Sequence, residues 1–249
     1  MSKQLSGQKA LVIGGSSGLG YYIAAGFARE GAEVTIAART PSKVEEATAE
    51  LKAINPASNG VSIDVANRTE FDAFLADCGT PDLLVNAQGI QRLRPAEEFT
   101  SELYDEIMEV NVRSVFFACT VIGKRMLERG SGSIINITSM AAHLGFTRAA
   151  VYTTSKHGVA GLTKTLAAEW GVRGVRVNAI SPGYFMTPLA ESNMSPLRKT
   201  QALDRTPMNR FGKLEEIQSA ALFLASPAST FINGTIVNVD GGYLHAGIK

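Results

Sequence analysis

Residues 9–20 read Lys9-Ala10-Leu11-Val12-Ile13-Gly14-Gly15-Ser16-Ser17-Gly18-Leu19-Gly20, a short apolar run, a glycine turn and the opening of a helical stretch. The run is continuous rather than alternating, which is the pattern of a strand covered on both faces in a parallel sheet. Glycines at such a junction let the chain turn tightly and bring backbone N–H groups toward an anion, where the positive end of the helix dipole adds attraction. The spacing is GxxxGxG rather than the GxGxxG of the general dinucleotide fingerprint, so alone it is a weak signal. Its place at the first strand-to-helix junction gives it weight. Gly14, Ser16, Ser17, Gly18, Leu19 and Gly20 are the expected phosphate-binding residues.

Outward from this turn the pattern repeats. Val/Ile/Leu-rich runs at 9–13, 33–37, 61–64, 83–86, 133–138, 175–180 and 235–239 predict seven strands, and stretches of helical spacing at 19–30, 42–53, 68–76, 101–128, 149–170 and 215–225 lie between them. Alternation with short connections predicts an α/β Rossmann fold: one domain over 1–249 with a doubly wound, seven-stranded parallel sheet and helices on both faces. From Tyr184 to Gly212 the alternation lapses into a polar stretch broken by Pro188, Pro196 and Pro207, which is expected to be a loop acting as a substrate lid.

The 249 residues carry 24 Lys+Arg against 23 Asp+Glu, and this balance argues against nucleic acid or an anionic membrane as a partner. Cys78 and Cys119 lack metal-site spacing and suit a reducing compartment, so no metal is expected. The N-terminal apolar run is too short for a signal peptide or membrane span, and a cytoplasmic protein is the expectation.

After the second strand comes Ala37-Ala38-Arg39, where an NAD-preferring chain usually places a carboxylate for the ribose 2′-hydroxyl. Alanines cannot accept that bond, whereas Arg39 offers a fork to phosphate oxygens, so NADP(H) is favoured over NAD(H). Asp64, followed by Val65, either accepts from the adenine amino group or caps the next helix.

Tyr152 and Lys156 stand at i and i+4 on one helix face. A free phenol titrates near ~10, too high for a base at neutral pH, and a neighbouring ammonium favours the phenolate. Ser139 closes the fifth strand, where a parallel sheet delivers side chains to its carboxyl edge, and its hydroxyl is placed to hold a substrate oxygen beside Tyr152.

With Asn111 in the long preceding helix, these motifs resemble the short-chain dehydrogenase/reductase family over essentially the whole chain, from Gly14 to Asp240-Gly241-Gly242. The resemblance implies that Asn111, Ser139, Tyr152 and Lys156 are the catalytic four. It also implies that Asp64, Val65, Asn86, Ala87 and Gly89 lie along the adenosine, that Lys156 binds the nicotinamide ribose, and that Pro182, Gly183 and Thr187 frame the carboxamide. Two departures stand out: Ile13 replaces the usual Thr before the first glycine, and Asn86-Ala87-Gln88-Gly89 replaces Asn-Asn-Ala-Gly, which puts local packing in doubt more than chemistry.

Substrate candidates are Gln91, His143, Arg148 and Tyr184, with Arg92 and Arg94 nearby and Arg148 able to bind a carboxylate bidentately. The segments 149–156 and 182–187 are similar to gluconate 5-dehydrogenases and 2-deoxy-D-gluconate 3-dehydrogenases, which implies a sugar acid or polyol. The alternative is a 3-oxoacyl-(acyl-carrier-protein) reductase, for which Arg125, Arg129, Arg173 and Arg176 offer a basic docking surface; a non-catalytic NADP-binding sensor is a further alternative. The family resemblance also implies a homotetramer.

Overall fold

Seven strands pair in parallel in the order β3-β2-β1-β4-β5-β6-β7 in a computed structural model that describes residues 3–187 and 194–247. They are β1 (Lys9–Ile13), β2 (Glu33–Ala38), β3 (Asn59–Ser62), β4 (Leu83–Asn86), β5 (Gly132–Ile137), β6 (Val175–Pro182) and β7 (Ile236–Val239). The helices are α1 (Gly18–Arg29), α2 (Pro41–Ile54), α3 (Arg68–Asp77), α4 (Ser101–Met108), α5 (Ser114–Arg129), α6 (Ala150–Trp170), α7 (Pro196–Arg205) and α8 (Leu214–Ala225). Strand side chains alternate between the two faces. Ala10 and Val12 of β1 therefore join a core with Ile23 and Phe27 of α1, Leu51 of α2 and Leu224 of α8, while Leu11 and Ile13 join Phe71 of α3, Ile122 of α5 and Leu166 of α6. The chain reverses direction of strand addition between β1 and β4, so a crevice opens beyond their carboxyl ends.

Three expectations are corrected by the structure. The third strand lies at 59–62 rather than 61–64, because Gly60, whose added Cβ would sit 1.9 Å from Thr48 Oγ1, lets this edge strand press on α2 without an apolar side chain. The single helix expected over 101–128 is interrupted by a π-turn, Glu109–Arg113. The stretch 184–212 is not all loop. Ser195 accepts from the Arg198 N–H at 3.3 Å and Pro196 opens α7, the Ser-Pro start signal that the polar composition obscured. Phe185 and Gly212 form a parallel bridge that ties the two ends of this stretch together. Of the expected lid, residues 188–193 lie outside the described residues.

Among the described residues, no helix is long and apolar enough to cross a membrane.

Candidate active site

The glycine turn sits at the β1/β4 crevice. Gly14 has φ +81°, and a Cβ there would come within 2.6 Å of the Gln88 nitrogen, so both backbone conformation and close approach to the 86–89 segment require glycine. A Cβ on Gly20 would meet the Gly14 carbonyl oxygen at 2.2 Å, so the start of α1 packs directly on the turn. Ser17 is the N-cap of α1 but makes no side-chain cap bond, and the first turn carries no acidic residue. Its N–H groups are therefore available to an external anion. Opposite Gly18, the Thr187 methyl lies 3.6 Å from where a Cβ would stand, so the expected phosphate and carboxamide segments face each other.

Arg39 is exposed at the end of β2, and its carbonyl accepts from the Ser62 hydroxyl at 3.3 Å. Asp64 lies beyond β3 rather than within it. Its Oδ1 accepts from the Ala66 N–H at 3.0 Å, while the cap of α3 is Asn67, which accepts from the Glu70 N–H at 3.3 Å. Val65 is buried beside Phe71.

The 86–89 departure resolves into a buried chain of amides and hydroxyls. Gln88 Nε2 donates to Ser114 Oγ at 3.0 Å, Asn86 Nδ2 donates to Asn136 Oδ1 at 2.9 Å, and Asn136 Nδ2 donates to Thr163 Oγ1 at 3.0 Å. Asn86 also reaches the Cys119 sulfur at 3.3 Å, so its side chain braces the sheet instead of facing the crevice. Ala87 N–H donates to the Ile13 carbonyl at 2.8 Å, which keeps the β1–β4 link despite the missing threonine.

At the carboxyl edge of β5, four segments converge. The π-turn points Asn111, fully buried, at Ile90: Oδ1 accepts from the Ile90 N–H at 2.8 Å, and Nδ2 donates to the Ile90 carbonyl at 2.9 Å and to Ser155 Oγ at 3.0 Å. Inserting one residue into a helical turn re-aims a side chain while the flanking helices continue, which is a common device at functional sites. Ser155 in turn donates to the Tyr152 carbonyl at 2.7 Å, tying Asn111 to α6. Lys156 is buried, and its Nζ donates to the Ile137 carbonyl at 2.9 Å and lies 5.7 Å from the Tyr152 ring centroid. A Cβ on Gly89 would be 3.4 Å from Lys156 Nζ and 3.5 Å from Asn111 Oδ1, so the 86–89 segment passes directly beside both side chains. Ser139 accepts from the Ala141 N–H at 3.1 Å and stands near enough to Tyr152 to act on its phenol.

Burial pushes the Tyr152 phenol above its ordinary range, and the Ser139 hydroxyl opposes that rise. Burial alone pulls Lys156 down to about 8. Its ammonium is committed to the Ile137 carbonyl and is weakened by the same dry surroundings that disfavour the phenolate.

The structure spreads the substrate candidates unevenly. Tyr184 is half-buried, directly after Gly183, and meets the Tyr243 ring edge-on at 5.5 Å. Gln91 is exposed, as is His143, which burial shifts below the ordinary histidine value with His157 and Lys164 adding to the shift. Arg148 is exposed with φ +65°, and its carbonyl accepts from the Arg94 N–H at 2.8 Å. Arg92 is paired with Glu106 at 2.6 Å. Composition gave no signal for Tyr243, Ser155 or the Gln88–Ser114 bond, since each gains meaning only from its spatial neighbours.

The family model described as enoyl-(acyl carrier protein) reductase matches residues 13–244. Similar curated proteins include a D-threitol dehydrogenase of Mycolicibacterium smegmatis, 40% identical over 244 residues covering 96% of this chain and 94% of that one. A gluconate 5-dehydrogenase of Gluconobacter oxydans is 40% identical over 243 residues, covering 96% and 95%. Among solved structures, a gluconate 5-dehydrogenase from Burkholderia cenocepacia in complex with NADP and tartrate superposes with a TM-score of 0.91 at 35% identity, over 99% of this chain and 98% of that one. The chain belongs to the short-chain dehydrogenase/reductase family. It is an NAD(P)-dependent oxidoreductase acting on CH–OH groups.

Proposed function

We propose that this enzyme interconverts a secondary alcohol and a ketone of a sugar acid or polyol, with NADP(H) preferred over NAD(H). The observation that carries the reading is the gathering of Ser139, Tyr152, Lys156 and Asn111 at one sheet edge, with a buried ammonium 5.7 Å from the phenol ring, an asparagine tied to the same helix and Ser139 near enough to Tyr152 to favour its phenolate. The similarity to a threitol dehydrogenase and gluconate 5-dehydrogenases supports the substrate class, and the NADP bound to the Burkholderia relative supports the cofactor.

The uncapped start of α1, the close approach of Thr187 to Gly18 and the cation at Arg39 fit a phosphorylated dinucleotide. Gly14 to Gly20 would hold its pyrophosphate, Arg39 its 2′-phosphate, Lys156 its nicotinamide-side ribose, and Pro182, Gly183 and Thr187 its carboxamide. When bound, it supplies the hydride donor or acceptor. Ser139 Oγ holds the substrate oxygen and shares its charge. In reduction Tyr152 Oη gives its proton to that oxygen, a role suited to a phenol that burial keeps protonated. In oxidation Tyr152 takes the hydroxyl proton, with Lys156 favouring the phenolate. Asn111 keeps α6 and the Ile90 backbone in register, so that Lys156 stays within reach of Tyr152.

The docking arginines of the carrier-protein alternative are largely committed to their own chain. Arg125 donates to the Gly79 and Ala76 carbonyls, Arg129 to the Thr80 and Pro81 carbonyls with an ion pair to Asp82, and Arg176 to the Leu224 carbonyl. This favours a small free substrate. The deciding experiment assays gluconate and 5-ketogluconate, a set of alditols, and acetoacetyl thioester with each cofactor. Turnover of the first two groups with NADP(H) is expected, and activity confined to the thioester would overturn the substrate reading.

A further inference from the structure

The stretch that follows β6 brings a charged and aromatic cluster next to the substrate tract 139–148. Phe146, at the end of that tract, stacks on Tyr243 at 6.4 Å with the rings 18° apart. Tyr184 meets Tyr243 edge-on, and Arg205 of α7 lies over the Tyr243 ring at 4.6 Å. Arg198, from the first turn of α7, lies close enough to Tyr184 for its charge to oppose the burial-driven rise of that phenol. Arg198, Ala202 and Arg205 are spaced by four and three residues, hence on one helix face, and buried Ala202 marks that face as turned to the body of the protein.

Arg198 is half-buried, and no ion pair among the described residues engages it. A guanidinium with five donors and no carboxylate partner keeps a planar edge for a carboxylate. Aromatic walls exclude water and strengthen a charge pair formed beside them. The other arginines near the site are less suited. Arg92 and Arg210 are held by Glu106 and Glu216, and Arg148 is exposed in a left-handed turn.

We propose that Arg198, on the α7 face turned toward the aromatic cluster, binds the carboxylate of an aldonate substrate, so that α7 rather than Arg148 selects sugar acids over neutral polyols. This rests on the reading of the enzyme as a sugar-acid or polyol oxidoreductase and adds which substrate end is recognised, and where. Tyr184 follows directly on Pro182-Gly183, so a substrate held at Arg198 extends from the aromatic cluster toward Ser139 and Tyr152.

The test compares D-gluconate with D-glucitol, which share a six-carbon chain and differ at C1, in the wild type, Arg198→Met and Tyr184→Phe with NADP. In Arg198→Met the ratio of kcat/KM for gluconate to that for glucitol is expected to fall by about 10- to 100-fold, carried by KM. Tyr184→Phe is expected to move the ratio the same way by less. An unchanged ratio in Arg198→Met, an equal loss on both substrates, or a larger fall in Arg148→Ala would overturn the assignment. A wild-type enzyme that oxidises glucitol but not gluconate would also overturn it, while leaving the secondary-alcohol reading standing. One that binds NADPH yet oxidises neither would sink that reading and this site together.

Discussion

Tyr152 and Lys156 define the chemistry of the site at the residue scale, the phenol half-buried and the ammonium buried, and in both burial disfavours the charged form. Lys156 titrates at about 8 in the folded chain against an ordinary 10.5, so between these values the unfolded chain holds a proton that the folded one has released. Folding is then favoured increasingly as pH rises through that window, and the effect is absent below pH 8. Relative to Lys156→Met, the wild type should gain up to about 3 kcal/mol of unfolding free energy between pH 8 and 10.5. Urea denaturation of the two proteins across that range checks this, and a flat difference would contradict the burial of the ammonium. Arg39 makes the second residue-scale prediction. Arg39→Ala should lower the NADPH-over-NADH ratio of kcat/KM by about tenfold or more, since a fork to a phosphate is removed while the ribose hydroxyls are untouched. The types and spacing of these residues could be read from the sequence, but the Ile137 carbonyl that holds Lys156 could not, because a backbone partner nineteen positions away leaves no mark on composition.

Elements were legible where they bury apolar side chains and obscure where polar contacts shape them. Strands β1 and β4 coincide with their apolar runs, whereas β3 slipped by two residues because a glycine packed on Thr48 does the work of a hydrophobe. The π-turn was hidden inside an unbroken helical periodicity, and its cause is local: Ser114 Oγ bonds to the Val110 carbonyl at 2.6 Å and accepts from Gln88, so a side chain competes with the helix ladder beside Asn111. The same buried chain continues through Asn86 and Asn136 to Thr163, linking β4, β5 and α6. Asn136→Ala leaves the Asn86 amide with only the Cys119 sulfur and removes a donor from Thr163, and should cost about 2 to 4 kcal/mol by urea denaturation. A cost below about 0.5 kcal/mol would show that the chain is replaceable by packing.

For the whole molecule, a single parallel sheet presents the cofactor turn, the Ser139–Tyr152–Lys156–Asn111 group and the α7 arginines along one carboxyl edge, without a separate substrate unit among the described residues. The outer surface carries its own message. Tyr104 of α4 and Phe116 of α5 are 44% and 43% exposed, and β7, at the sheet edge, is only half-covered. Such surfaces suit self-association, and the four copies that the family resemblance implies predict sedimentation at four times the chain mass, with Phe116→Glu shifting it to smaller species. The balanced net charge, +1 overall, leaves recognition of anionic ligands to individually placed arginines. The division of labour along the edge is the central claim, and Tyr152→Phe tests it most directly, with turnover and NADPH affinity measured on the same preparation. The account predicts that kcat falls by about 10³-fold or more while the NADPH Kd stays within about threefold; turnover retained in that variant would contradict it.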